Sequence, residues 1–171
     1  FSIVCYLFPI VFMVYNAIGQ SAQPILSYNY GSGDSTRVRA AFRLALITVG
    51  SCGLLFFVLA IVFNGPIAAL FVDTSSAAYG IALEGIPLFA SGFVFLGINI
   101  VSIVYFQSVE RMYPAMWVTV LRGFVFIILC FLLLPLLLGV RGIWIAVPVG
   151  ELLTFGMIIG IYYRRRQIER R

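Results

Sequence analysis

The sequence contains no histidine and no lysine, and only 10% of its 171 residues are charged. Histidine is the commonest general base and metal ligand in proteins, so its absence disfavours most hydrolytic enzymes and metal-dependent sites. A soluble domain has about a quarter of its residues charged, whereas 63% of this chain is hydrophobic. The composition therefore predicts an integral membrane protein.

Cysteine is also scarce, and the three that occur predict neither a metal site nor a disulfide framework. Cys5, Cys52 and Cys130 lie far apart in apolar runs, without C-x-x-C spacing or polar neighbours. The chain has no phosphate-binding loop that could hold ATP, so a transporter built from it would be secondary. An enzyme is disfavoured because the apolar runs contain neither histidine nor aspartate.

What the sequence does contain is a series of apolar runs, and a helix needs about 20 such residues to cross a bilayer. Polar or Gly- and Pro-rich stretches separate these runs. The pattern predicts an all-α, polytopic membrane helix bundle with about five transmembrane helices. The predicted spans are about 1–29, 40–63, 81–107, 114–138 and 143–163, followed by a basic tail, 164–171.

The arginines are distributed unevenly between the segments that flank these spans. Three follow the first span, one follows the third and five lie in the tail 164–171, whereas the two alternate loops contain only Arg141. Because positive residues are retained on the cytoplasmic side of membrane proteins, this pattern predicts a cytoplasmic C-terminus.

The first span carries a polar stripe, consisting of Asn16, Gln20, Gln23, Ser27 and Tyr30. At 100° per residue these side chains fall within about 80° of helix arc. Two interpretations are open. The groups either form hydrogen bonds between neighbouring helices, at about 0.6 kcal/mol each, or line a water-filled or ligand-binding cavity. Five polar residues over four turns exceed what helix packing requires, which favours the cavity.

Polar and charged residues deep in the later spans are further candidates. Asn99 and Ser102 lie deep in the third span and are predicted to line the same cavity. Arg122 and Glu151 lie about 13 Å and 18 Å from the inner ends of the fourth and fifth spans at 1.5 Å per residue. Since unpaired charges at such depth are costly, we expect a salt bridge between them. Its role is open between a structural clamp and a proton- or ion-coupled switch.

The polar stripe and the turns after it resemble the multidrug and toxic compound extrusion (MATE) transporters. The segment Q-P-I-L-S-Y-N-Y-G-S-G is similar to the motif that closes the second helix of the C-terminal lobe in the bacterial branch of that family. Further similarities follow in consistent order along the chain: the N-G-P-I-A-A-L-F elbow (64–71), Y-F-Q (105–107), Arg122, G-x-x-G-I-W (139–144) and P-x-G-E (148–151).

The resemblance implies a twelve-helix antiporter made of two six-helix lobes in the plasma membrane, which is the bacterial inner membrane. Such proteins export small cationic, amphipathic compounds in exchange for Na⁺ or H⁺, without a cofactor. The chain begins at Phe1 inside an apolar run, so we expect a fragment: residues 1–171 would be helices eight to twelve of the C-terminal lobe. Its partners would then be the bilayer and the missing N-terminal lobe, not nucleic acid, and the coupling-ion site would lie largely in that lobe.

Two other functions are open besides efflux. Lipid-linked oligosaccharide flippases share the wider fold that the resemblance implies, and a structural membrane subunit would need no transport site. The aligned polar stripes disfavour the structural subunit.

Overall fold

The computed structural model describes residues 2–168, and within that range the chain is helical, with no strand. Five helical stretches are long and apolar enough to cross a bilayer, which confirms the predicted all-α membrane bundle. Side chains are described for residues 3–164, so most of the predicted basic tail lies outside this part of the chain. The five stretches are Ile3–Gly31, Ser35–Val62, Ala77–Ser108, Met112–Leu138 and Val140–Arg164.

Three of the five stretches are single helices, and the third and fourth are interrupted. A π-helical segment, Leu121–Phe126, separates the two halves of the fourth stretch. The helices are α1 (Ser2–Gly31), α2 (Ser35–Val62), α3 (Asn64–Ala69), α4 (Ala77–Ala90), α5 (Phe93–Ser108), α6 (Met112–Val120), α7 (Ile127–Leu138) and α8 (Val140–Ile168).

The ends of the helices follow from local chemistry. The Asp34 side chain accepts hydrogen bonds from the amides of Thr36 and Arg37, at 3.1 and 3.0 Å, and so caps the N-terminus of α2. α2 therefore begins at Ser35, five residues before the predicted span. Between α7 and α8 the chain turns at Gly139 alone, whose φ of +60° favours glycine.

The core lies where α1, α2 and α5 pack together. Tyr15, Val49 and Leu96 are buried there, with Tyr15 and Val49 completely inaccessible. Glycines allow the close approach: a Cβ on Gly53 would lie 2.8 Å from the Cα of Val94, so only glycine fits at this crossing. The α1–α2–α5 core thus fixes the position of the helices that carry the candidate site.

The elbow between the second and third stretches is anchored by a side chain. Pro87 lies inside α4 and has no N–H, which leaves the carbonyl of Leu83 without its helical donor. Asn64 donates a 2.6 Å hydrogen bond to that carbonyl from 19 residues upstream. This hydrogen bond therefore connects the start of α3 to α4 at the carbonyl that Pro87 leaves without a helical partner.

Replacing Asn64 with Ala is expected to destabilise the protein by about 1–2 kcal/mol, because the Leu83 carbonyl loses its donor. In a Pro87→Ala background the helix can supply its own N–H to Leu83, so the same Asn64→Ala change should have a smaller effect. Thermal unfolding of the four proteins in one detergent measures this difference. Equal losses in both backgrounds would show that the hydrogen bond contributes nothing specific.

Candidate functional site

The last three membrane stretches are all irregular at one level of the bundle. The third is interrupted between α4 and α5, where a Cβ on Gly92 would lie 2.9 Å from the Cα of Pro148 in α8. The fourth contains the π-helical segment, a form of helix that is rare and concentrated at functional sites. Pro148 itself removes a hydrogen bond from α8. The backbone of three neighbouring membrane stretches is therefore irregular in the same region of the bundle.

A buried salt bridge joins the π-helical segment to α8 at this level. The Nε of Arg122 donates to both carboxylate oxygens of Glu151 at 3.0 Å, and its Nη2 lies 3.0 Å from Oε1. The side chain of Glu151 is 3% exposed and that of Arg122 is 16% exposed. The two residues expected to pair are thus in contact, in a geometry that satisfies both carboxylate oxygens.

Asn99, which lies in α5, also forms a hydrogen bond with the Glu151 carboxylate. Its amide nitrogen lies 2.8 Å from both the Oε2 and the backbone carbonyl of Glu151, to which it donates, and its side chain is fully buried. The Oδ1 of Asn99 is also buried and has no partner among the described residues. Asn99 is therefore packed against Glu151. Ser102, one turn further along α5, is also buried, with 2% of its surface exposed. Their predicted place on a cavity wall remains a prediction, since neither has an open surface here.

An apolar cavity of about 490 Å³ borders the salt bridge. The N-terminal part of α1, together with α7 and α8, contributes most of its lining. We call it the aromatic cavity because four phenylalanines contribute to its lining. Phe8 stacks on Phe12 with ring centroids 5.8 Å apart and meets Phe89 edge to face at 6.0 Å. The lining consists of Val4, Cys5, Phe8, Phe12, Phe89, Arg122, Gly123, Ile127, Phe131, Val147 and Glu151.

The polar stripe of α1 lies on an open face of the described bundle. Asn16 is half-buried and donates to the carbonyl of Phe12 in its own helix at 2.8 Å. Gln20, Gln23, Ser27 and Tyr30 are exposed.

The stripe also continues the wall of the aromatic cavity along α1. At 100° per residue, Asn16, Gln23 and Tyr30 lie within about 40° of Cys5 and Phe12, which line the cavity. These polar residues and the cavity-lining residues Cys5 and Phe12 therefore lie on the same face of α1.

The sequence did not single out the phenylalanines of the aromatic cavity. The chain has 16 phenylalanines, almost all within apolar runs. Phe131, which lines the cavity, and Phe124, which is 66% exposed, have the same kind of sequence surroundings. The only available signal is indirect: Phe12 lies on the flank of α1 that carries the polar stripe further along.

The MatE family model matches residues 1–132 of the chain. The match includes α1 to α6, the π-helical segment with Arg122 and the first half of α7, whereas Glu151 lies beyond it. No curated protein and no solved structure matches the chain.

Proposed function

The chain belongs to the MatE family of membrane transporters, and from this membership we propose that it forms part of a secondary multidrug exporter. The exporter would carry small cationic, amphipathic compounds out of the cell in exchange for Na⁺ or H⁺. It would lie in the plasma membrane of a bacterium, with its C-terminus in the cytoplasm, in keeping with the distribution of arginines. The coupling-ion site would lie in a part of the transporter outside this chain.

The aromatic cavity is the observation that carries this proposal. A cavity of about 490 Å³ is large enough for a drug-sized ring system. Aromatic faces attract organic cations, with a contribution of about 0.5–2 kcal/mol that rises as the cation is desolvated. The open amide side chains of Gln20 and Gln23 on the same helix would offer neutral polar contacts along the path to the cavity.

The same cavity is poorly suited to a lipid-linked oligosaccharide. Such a substrate carries a diphosphate, for which bidentate arginine contacts are the strongest recognition. Arg122 is the one arginine among the described residues that line the cavity, and all its short contacts are made to Glu151. The cavity is therefore better suited to bind an amphipathic organic cation than a diphosphate.

Within this exporter, we assign the Arg122–Glu151 pair the role of a clamp. It ties the π-helical segment to α8, and Asn99 ties the same carboxylate to α5. Three helices that border the site are thus held in register by one buried carboxylate. The competing role, a switch that opens when a proton or ion reaches Glu151, needs the pair to separate during transport.

Ethidium efflux by the full-length transporter in proteoliposomes tests the function. Efflux should require a Na⁺ or H⁺ gradient and stop when that gradient is dissipated. Replacing Phe131 with Leu should raise the KM for ethidium by about 2- to 30-fold, the range expected for one lost cation–π contact. The matched Phe124→Leu change, in a side chain that is 66% exposed and outside the cavity lining, should leave the KM unchanged.

Two results would contradict the proposal. Ethidium movement that does not depend on any ion gradient would exclude antiport. Translocation of a lipid-linked sugar in the same vesicles, without ethidium efflux, would indicate the flippase instead.

A further inference from the structure

A second pocket lies at the opposite end of α1, about 27 Å from the aromatic cavity at 1.5 Å per residue from Phe12 to Tyr30. It has a volume of about 450 Å³ and is formed where α1, α2, α5, α6 and α8 end or begin. We call it the arginine pocket. Its lining consists of Tyr30, Gly33, Ser35, Val38, Arg39, Phe42, Tyr105, Val109, Arg111 and Tyr162.

Three stacked aromatic rings contribute to the lining of the arginine pocket. Phe42 lies on Tyr105 with ring centroids 4.2 Å apart and an interplanar angle of 27°. Tyr162 lies beside both rings, at 6.2 Å from Phe42 and 6.0 Å from Tyr105. These rings come from three different helices, so the lining is a rigid apolar surface and not a loop.

Two arginines, Arg39 and Arg111, line the same pocket and have no carboxylate partner among the described side chains. Arg39 makes only a long 3.5 Å contact with the Thr36 hydroxyl, and Arg111 forms no ion pair within residues 3–164. The nearby Asp34 is bonded instead to Arg37, at 3.3 Å, and to the amides at the start of α2. Glu110 adjoins Arg111 in sequence but is not part of the pocket lining. The pocket therefore combines two available positive charges with an apolar aromatic lining.

The pocket lies at the ends of membrane-spanning helices, on the arginine-rich side of the bundle. In the orientation proposed above, this is the level of the inner-leaflet headgroups, and basic pockets between helices at this level bind anionic lipid headgroups. Guanidinium groups form paired hydrogen bonds with phosphate oxygens, and an aromatic surface can pack against the glycerol and first acyl carbons. A free phosphate could use the first feature but not the second.

We propose that the arginine pocket is a binding site for an anionic phospholipid, with the phosphate on Arg39 and Arg111 and the glycerol over Phe42 and Tyr105. The two positive charges repel an organic cation, so we expect this site to bind a different class of ligand from the aromatic cavity. The bound lipid would join the α1–α2 turn to the start of α6.

The test is a lipid titration of the full-length protein, monitored by native mass spectrometry. Phosphatidylglycerol should bind at least about tenfold more tightly than phosphatidylcholine, and Arg39→Gln/Arg111→Gln should remove most of that preference. The matched control, Arg37→Gln/Arg43→Gln, removes the same charge from exposed positions of α2 outside the pocket. It should change the affinity by no more than about threefold.

An equal loss in the two double variants would overturn the proposal, because it would indicate diffuse attraction to a basic surface. Release of the lipid by millimolar glycerol phosphate would also overturn it, since a free phosphate ester would then suffice. A photoreactive phosphatidylglycerol gives a test on the unmodified protein that does not depend on variant folding. Cross-links should map to Phe42, Tyr105 or Tyr162, and labelling confined to other segments would exclude this site.

Discussion

Replacing Arg122 with Gln is expected to destabilise the folded protein by about 3–5 kcal/mol, because it leaves the buried carboxylate of Glu151 without its counter-charge. The side chain of Glu151 is only 3% exposed, so little water solvates the carboxylate in the folded protein. Asn99 would remain as a neutral donor, which compensates for a small part of the loss. Chemical unfolding of the full-length transporter in one detergent gives the difference directly.

The double variant Arg122→Gln/Glu151→Gln separates the cost of an unpaired charge from the value of the pair. The amide that replaces the Glu151 carboxylate would keep an oxygen that can accept from Asn99, and no charge would be left buried. We therefore expect the double variant to recover most of the stability that each single change removes. Losses that simply add would show that the two side chains do not act together.

The same variants distinguish the clamp from the switch. If the pair is a clamp, the folded double variant should retain gradient-driven ethidium efflux, because the two charges then take no part in the transport cycle. A stable double variant whose efflux no longer responds to the ion gradient would instead identify the pair as a coupling element. The Arg141→Gln change, at an ion pair whose side chains are 72% and 63% exposed, serves as the control for loss of an arginine.

Patterns carried by polar residues could be predicted from the sequence. The number of spans follows from hydrophobicity and length, and the contact between Arg122 and Glu151 follows from the cost of an unpaired charge at similar depth. Each of these depends on one strong local or energetic rule, which a single sequence contains.

Features that depend on which helix lies beside which could not be predicted. The hydrogen bonds from Asn99 to Glu151 are an example, because periodicity gives the direction of a side chain but does not identify its neighbour on another helix. The π-helical segment around Arg122 has no local signal, since Leu121–Phe126 reads as ordinary apolar helix. The polar residues of the stripe lie on one arc of α1, whereas the cavity that they continue also needs Phe89 and Phe131, which come from other helices.

Replacing Gly142 with Ala should have the second large effect, a loss of about 3 kcal/mol, because the new Cβ would meet the backbone of Leu134 in α7. A backbone carbonyl cannot rotate away as a side chain can, so α7 and α8 must move apart. The matched Gly156→Ala change is in the same helix, where a Cβ would meet nothing within 4 Å. That control should be neutral or raise stability by about 0.5–1 kcal/mol, since alanine favours helix.

The effect of Gly142→Ala should extend from stability to transport because the α7–α8 hairpin carries part of the lining of the aromatic cavity. Gly142 lies near the turn at Gly139, and Phe131 and Val147, which line the cavity, lie further along the two arms of the hairpin. Separating the helices at the hairpin would widen the aromatic cavity. We expect lower efflux and a lower unfolding temperature together in Gly142→Ala, with both unchanged or improved in Gly156→Ala. Loss of efflux at wild-type stability would place the role of Gly142 in the transport cycle itself and contradict the packing argument.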